Sequence, residues 1–229
     1  MADHAPRRHA EIDPAAALYP PEPAPEPAAL EAGRLLFAQE CRFVAAAANE
    51  DALPPESLPE VAFIGRSNVG KSSLLNALVG HKALARVSDT PGRTRQIVFF
   101  ALKRLMLVDL PGYGFAAASK AEIKRWSRVT PLYLKGRAGL KRALLLIDAR
   151  HGFKPADRGF MAVLDEAAVS YQIVLTKLDK VPAAELATRL AAMAAELAAH
   201  VAAHPQMHLT SALEGFGIAE LRAALAALA

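Results

Sequence analysis

The sequence predicts an α/β fold: an open, mostly parallel sheet of six strands or slightly more, with helices on both faces. Three observations predict it. Short apolar runs such as Val61-Ala62-Phe63-Ile64 and Ala143 to Ile147 are continuous rather than alternating, as in parallel strands covered on both sides. Helical patterns separate the runs, and strand–helix–strand alternation implies right-handed crossovers. The glycine-bounded stretch Gly65-Arg66-Ser67-Asn68-Val69-Gly70-Lys71-Ser72 joins the first run to the apolar segment Leu74-Leu75-Asn76-Ala77-Leu78, giving strand, loop and helix in succession.

A chain of 229 residues holds one sizeable domain plus an appendage. Hydrophobic residues make up 53%, but much of that is alanine, which overstates the large side chains available for a core. The single cysteine, Cys41, excludes an intrachain disulfide and fits a reducing compartment. The first residues are not followed by the apolar segment of a secretory signal, and no run approaches the ~18 apolar residues of a membrane span. A soluble, cytoplasmic protein without a membrane partner is expected. Between Lys103 and Arg158 stand 13 Lys and Arg against 4 Asp and Glu, an excess that suits a polyanion such as nucleic acid.

Taken in order, residues 1–29 carry Pro14, Pro20, Pro21, Pro23, Pro25 and Pro27 among alanines and acids, a composition that predicts a disordered or extended tail ahead of a domain spanning 30–229. A short helix and an edge strand around Arg42-Phe43-Val44 begin the folded body. After the proline-marked loop at Pro54, Pro55 and Pro59 comes the strand Glu60 to Ile64, then a helix from Gly70 to Val79 ending near Gly80. His81 to Arg95 predicts a mobile loop. Gln96 to Leu102 and Arg104 to Asp109 read as an antiparallel hairpin. A helix over 120–135 places Ile123, Trp126, Val129 and Leu132 or Tyr133 on one side. Asp148 ends the strand at Ala143 to Ile147. A helix from Pro155 to Ala168 then leads to the strand Gln172 to Leu175. The alanine-rich helix from Pro182 to Ala203 carries a core stripe of Leu186, Leu190, Met193, Leu197 and Val201. His200, His204 and His208 are spaced by four, yet Pro205 breaks the helix between them and keeps the third off that face. Met207 to Leu209 is the last strand, and a helix from Ile218 closes the chain.

The loop from Gly65 to Ser72 has the form G-x-x-x-x-G-K-S/T, a P-loop. Its glycines let successive N–H groups point inward at the positive end of the following helix, a ring of donors for phosphate oxygens. Lys71 is placed to reach the β- and γ-phosphates, and the hydroxyl of Ser72, followed by Ser73, to ligate the Mg²⁺ that bridges them. Three further loops fall at strand ends. Thr94, after Gly92 and Arg93, offers a second hydroxyl to the metal. Asp109, in Asp109-Leu110-Pro111-Gly112, is placed to hold a metal-bound water and the Gly112 N–H to bond the γ-phosphate, so that phosphate loss frees both loops. In Thr176-Lys177-Leu178-Asp179 the Asp179 carboxylate can accept both N–H groups on the Watson–Crick edge of guanine, with the Lys177 stem along the base. In Thr210-Ser211-Ala212 the Ala212 N–H can donate to the guanine carbonyl. These features favour GTP and GDP over adenine nucleotides. Lys71, Thr94 and Gly112 are the residues expected to act on the γ-phosphate. An ATP-using P-loop kinase and an RNA-binding module with a degenerate nucleotide site are the alternatives.

Gly65 to Ser73, Thr90-Pro91-Gly92-Arg93-Thr94, Asp109-Leu110-Pro111-Gly112-Tyr113-Gly114 and Thr176-Lys177-x-Asp179 together resemble the EngB-type (YihA/YsxC) bacterial GTPases of the TRAFAC class, over about residues 35–229. Thr176 stands where most GTPases have Asn, as in that family, and Arg95 stands where Gln is usual. The resemblance implies a GTP-hydrolysing switch in assembly of the large ribosomal subunit, with a link to cell division. It implies a large-subunit precursor and ribosomal RNA as partners, and a monomer off the ribosome. Related potassium-stimulated GTPases have Asn at the Asn68 position, which marks Asn68 as a candidate K⁺ ligand. Tyr113 takes the place of the water-orienting glutamine of many GTPases, so slow intrinsic hydrolysis is expected.

Overall fold

The computed structural model describes residues 17–20, 23–80, 96–113 and 129–229. The strands are β1 (Leu18–Tyr19), β2 (Arg42–Ala47), β3 (Glu60–Gly65), β4 (Ile97–Ala101), β5 (Met106–Asp109), β6 (Leu140–Asp148), β7 (Tyr171–Thr176) and β8 (Met207–Leu209). They form one eight-stranded sheet in the order β1-β8-β7-β6-β3-β5-β4-β2. The strands β8, β7, β6, β3 and β5 run parallel, while β4, β2 and β1 are antiparallel additions at the two sides.

Helices cover both faces. On one side lie α1 (Pro27–Phe37), α2 (Lys71–Val79) and, from the chain's end, α6 (Ile218–Ala226). They bury Leu36, Phe37, Leu74, Leu78, Ile218 and Leu221 against Phe63, Leu107, Leu144 and Val174 of the sheet. On the other side lie the helical residues 129–136 (α3), α4 (Pro155–Glu166) and α5 (Ala183–Leu197). Their Tyr133, Phe160, Leu164, Leu190, Met193 and Leu197 pack on Ile64, Val108, Leu145 and Ile173. The alternation of faces along β3, β6 and β7 explains why these strands read as unbroken apolar runs. Within the wall at the start of β3, the buried Glu60 carboxylate accepts the Tyr133 hydroxyl at 2.9 Å and pairs with the Arg137 guanidinium.

Several sequence expectations are corrected. Ala17 is buried and Leu18–Tyr19 pairs antiparallel with β8, while α1 already begins at Pro27, so the disordered tail expected through residue 29 gives way at both places. Residues 1–16 and 21–22 lie outside the described ones. The helix expected to reach Ala203 ends at Leu197, which leaves Val201 in a turn, 91% exposed rather than on the core stripe. Strand β6 begins three residues earlier than its apolar run, at Leu140. Of the expected pair on α3, Tyr133 is buried and Leu132 is exposed. Trp126, the loop 81–95 and the start of the helix expected at 120 lie outside the described residues.

Candidate functional site

Parallel strands of one sheet end on one side, so the loops after β3, β5, β6, β7 and β8 converge. The P-loop leaves β3 at Gly65 and enters α2 through Gly70, whose φ of 107° lies in the region that glycine adopts without a Cβ penalty. Gly70 at the N-cap of α2 has no side chain to cap the first turn, which leaves N–H groups there for a ligand. Ser72 is half-buried in that turn and Ser73 is exposed. Arg66 and Ser67 each hold a buried polar atom, Nε and Oγ, without a hydrogen-bond partner among the described residues. Both residues line a cleft of about 180 Å³ bounded also by Asp148, Arg150, His151 and Asp157.

The loop after β5 lies directly on the P-loop. The Tyr113 N–H donates to the Gly65 carbonyl at 3.2 Å, and a Cβ on Gly112 would stand 2.8 Å from that same oxygen. Only glycine fits there. Asp109 is buried at the end of β5 with its carboxylate in contact with the Lys71 ammonium. Leu110 is buried and Pro111 adjoins it. The Tyr113 side chain runs to Asp157, in the wall of that cleft. Its hydroxyl donates to Asp157 Oδ1 at 2.7 Å and its ring stacks on Phe160 at 5.0 Å. Burial first, then the Asp157 charge, pushes the phenol well above its ordinary pKa.

The loop after β7 is tied to the P-loop at two points. Thr176 Oγ1 donates to the Val69 carbonyl at 2.6 Å, with the Ile147 carbonyl at 3.2 Å. Lys177 Nζ donates to the Asn68 carbonyl at 2.5 Å and to Asp148 Oδ2 at 2.9 Å. Asn68 and Lys177 are both left-handed, with φ of 61° and 59°. Such a conformation in a non-glycine residue costs of order 1–3 kcal/mol and persists where surrounding contacts impose it; here a hydrogen bond joins the two strained residues directly. Asp148 also accepts the Arg150 guanidinium at 2.7 Å and the Arg150 N–H at 3.1 Å. Burial works to raise its carboxyl, but the Arg150 and Lys177 bonds outweigh that and hold it well below the usual carboxylate range.

From the loop after β8, Ser211 Oγ donates to Asp179 Oδ1 at 2.7 Å, and Thr210 Oγ1 donates to the Leu175 carbonyl at 2.7 Å. Asp179 is thus oriented by one hydroxyl and keeps its other oxygen, with Ala212 next in the chain. Thr176 is buried, and its hydroxyl is engaged by backbone carbonyls.

The structure therefore brings together Gly65 to Ser73, Asp109 to Gly112, Thr176 to Asp179 and Thr210 to Ala212. Gly92, Arg93 and Thr94 lie outside the described residues. Sequence reasoning missed Asp148, Arg150 and Asp157; the only signal was an aspartate at the end of β6. The cluster fits a phosphate-bearing nucleotide: orphaned donors in the P-loop, an ammonium and a buried carboxylate beside a half-buried serine hydroxyl. That donor set of hard oxygens also suits Mg²⁺. Among the described residues, no group of three or more His, Cys, Asp and Glu could hold a metal. His200 is engaged by Asp165 at 2.5 Å, and His208 is buried on β8 with its pKa lowered to about 4 by burial and by the charges of His204 and Arg142.

Residues 60–177 match the family model described as 50S ribosome-binding GTPase. The probable GTP-binding protein EngB of Rhodospirillum rubrum is 59% identical over 207 residues, covering 88% of this chain and 90% of the relative. This chain belongs to the EngB family of GTP-binding proteins. The EngB of Cereibacter sphaeroides is 51% identical over 211 residues, 92% of this chain and 97% of the relative. A crystal structure of a probable GTP-binding protein engB matches with a TM-score of 0.56 at 28% identity, covering 71% of this chain and 94% of that one. As a member of the EngB family the chain is a GTPase that binds GTP and GDP, which sets aside the kinase and the degenerate-site alternatives. No helix among the described residues is long and apolar enough to cross a membrane.

Proposed function

We propose that this EngB-family GTPase is a switch in assembly of the large ribosomal subunit, docking on a precursor particle while GTP is bound and leaving after hydrolysis. The observation that carries it is the convergence of the P-loop, Asp109, Gly112 and the Asp179 loop on one end of the sheet, in a chain whose family model is described as ribosome-binding. In this reading Lys71 holds the β- and γ-phosphates, Ser72, Thr94 and Asp109 (through water) serve Mg²⁺, and the Gly112 N–H senses the γ-phosphate. Bound Mg²⁺ would neutralise phosphate charge. The Lys71–Asp109 contact keeps both groups at the place where the γ-phosphate must be sensed. Asp179, oriented by Ser211, reads guanine, with the Ala212 N–H at its carbonyl. Asn68 is the proposed K⁺ ligand. The Tyr113 hydroxyl is given to Asp157, so the chain provides no glutamine-like water orienter at that position and its intrinsic hydrolysis is slow.

Among the described residues, part of the basic excess between Lys103 and Arg158 is offset by ion pairs. Arg137, Arg150, Arg158 and Lys135 are paired with Glu60, Asp148, Glu196 and Glu166. Lys103, Arg104 and Lys141 are exposed and cluster where β5 and β6 begin, at the end of the sheet remote from the P-loop. Ribosomal RNA contact through them would leave the nucleotide loops free. The test is co-sedimentation with ribosomal subunits in GDP and in a non-hydrolysable GTP analogue across a salt series. Preference for the large subunit with the analogue, weakening steeply with salt, is expected; equal recovery in both nucleotides would refute the switch.

A further inference from the structure

We infer that Thr176 reads no atom of the nucleotide base, and that this GTPase leaves the imidazole edge of guanine unread at the place where the Thr-Lys-x-Asp loop begins. The inference rests on the guanine reading proposed above and deepens it. A hydroxyl has one proton to donate. Thr176 directs it to the Val69 carbonyl at 2.6 Å, with the Ile147 carbonyl as the second acceptor at 3.2 Å, and the residue is buried. What remains on the oxygen is acceptor capacity. Guanine N7 carries no hydrogen, so two acceptors would meet and no bond could form.

The neighbouring side-chain donors are largely committed as well. Lys177 Nζ spends two of its three hydrogens on the Asn68 carbonyl and Asp148, and the Ser211 hydroxyl serves Asp179. Asp179 is itself an acceptor, suited only to the N–H groups of the Watson–Crick edge. Thr176 instead positions the P-loop. A Cβ placed on Gly70 would lie 3.6 Å from Thr176 Cβ and 3.7 Å from its Oγ1, so the second P-loop glycine rests on this residue. An asparagine at 176 would differ in kind, because an amide carries two hydrogens and could bond the Val69 carbonyl with one and N7 with the other.

The test compares GDP with 7-deaza-GDP, IDP and ADP on the full-length protein by calorimetry, in wild type, Thr176→Val and Thr176→Asn. Replacing N7 with a carbon should change affinity less than threefold in wild type. Loss of the 2-amino group in IDP should weaken binding by about tenfold, the loss of one hydrogen bond to a charged acceptor. Thr176→Val should weaken GDP and 7-deaza-GDP by the same factor, and Thr176→Asn should create a preference for GDP over its deaza analogue. A wild-type penalty of threefold or more for 7-deaza-GDP overturns the inference. Equal affinity for GDP, IDP and ADP brings down the guanine reading itself, and this inference with it. Should Thr176→Val fail to fold, the wild-type ratio decides alone.

Discussion

Replacing Tyr113 with phenylalanine separates a structural role from a catalytic one. The change keeps the ring that stacks on Phe160 at 5.0 Å and removes only the hydroxyl that donates to Asp157 at 2.7 Å. Asp157 is buried, and its remaining partner is the Lys154 N–H at 2.7 Å on its other oxygen. A hydrogen bond to a charged group contributes about 1.5–3 kcal/mol, and because one partner survives the expected loss is about 2 kcal/mol. For a domain of this size each kcal/mol moves the midpoint by roughly 2–4 °C, so Tm should fall by about 4–8 °C in scanning calorimetry. GTP turnover, assayed well below that midpoint, should stay within about twofold, less than 0.5 kcal/mol of barrier. A double-mutant cycle with Asp157→Ala should return most of the loss as coupling. An unchanged Tm, or a tenfold fall in turnover with the fold intact, would refute the reasoning by showing that the hydroxyl acts at the nucleotide.

Four further outcomes follow from the same geometry. Gly112→Ala places a methyl 2.8 Å from the Gly65 carbonyl, so the loop must shift: single-turnover GTP hydrolysis should fall by roughly a hundredfold, about 2.7 kcal/mol, while GDP affinity stays within a few-fold. Asp148→Asn removes the charge that holds Lys177 and Arg150, and GDP affinity measured by calorimetry should drop about tenfold, the ~1.4 kcal/mol expected of a partly screened pair. His208 has a folded pKa of about 4 against about 6.5 unfolded, so between those values the unfolded chain binds more protons. Stability should therefore decline as pH falls from about 6.5 to 4, by up to about 3 kcal/mol, and His208→Gln should flatten that part of a urea-denaturation profile. Turnover should be faster in potassium than in sodium buffer and lose that difference in Asn68→Ala; equal rates in both salts would remove Asn68 as a K⁺ ligand.

The parts of the fold legible in the sequence are those with a local pattern. Unbroken apolar runs gave β3, β6 and β7, Gly80 marked the end of α2, and the closely spaced β-rich segments gave the β4–β5 pair. The start of β6 was not legible because Leu140, Lys141 and Arg142 extend the strand past its apolar stretch while still pairing with β3. Nor was β1, two residues among prolines whose only reason to be extended is the edge of β8, 190 positions away where Leu18 pairs with His208. The site divides the same way. Gly70, Lys71, Asp109 and Asp179 announce themselves by motif, whereas the Tyr113–Asp157 and Lys177–Asp148 contacts join residues 44 and 29 apart and leave no periodic trace. Thr176 was visible by spacing, but its orientation toward Val69 depends on how β7 abuts the P-loop.

Val69, Asn68 and Asp148 make the P-loop and the ends of β6 and β7 a single mechanical piece, since each is bonded to Thr176 or Lys177. An alanine scan across Asn68, Asp148, Thr176 and Lys177 will accordingly overcount: individual losses should sum to well more than the deficit of the combined variant, because releasing one tie already slackens the others. With the nucleotide placed as proposed, the same piece couples the base end to the phosphate end without any movement between two domains.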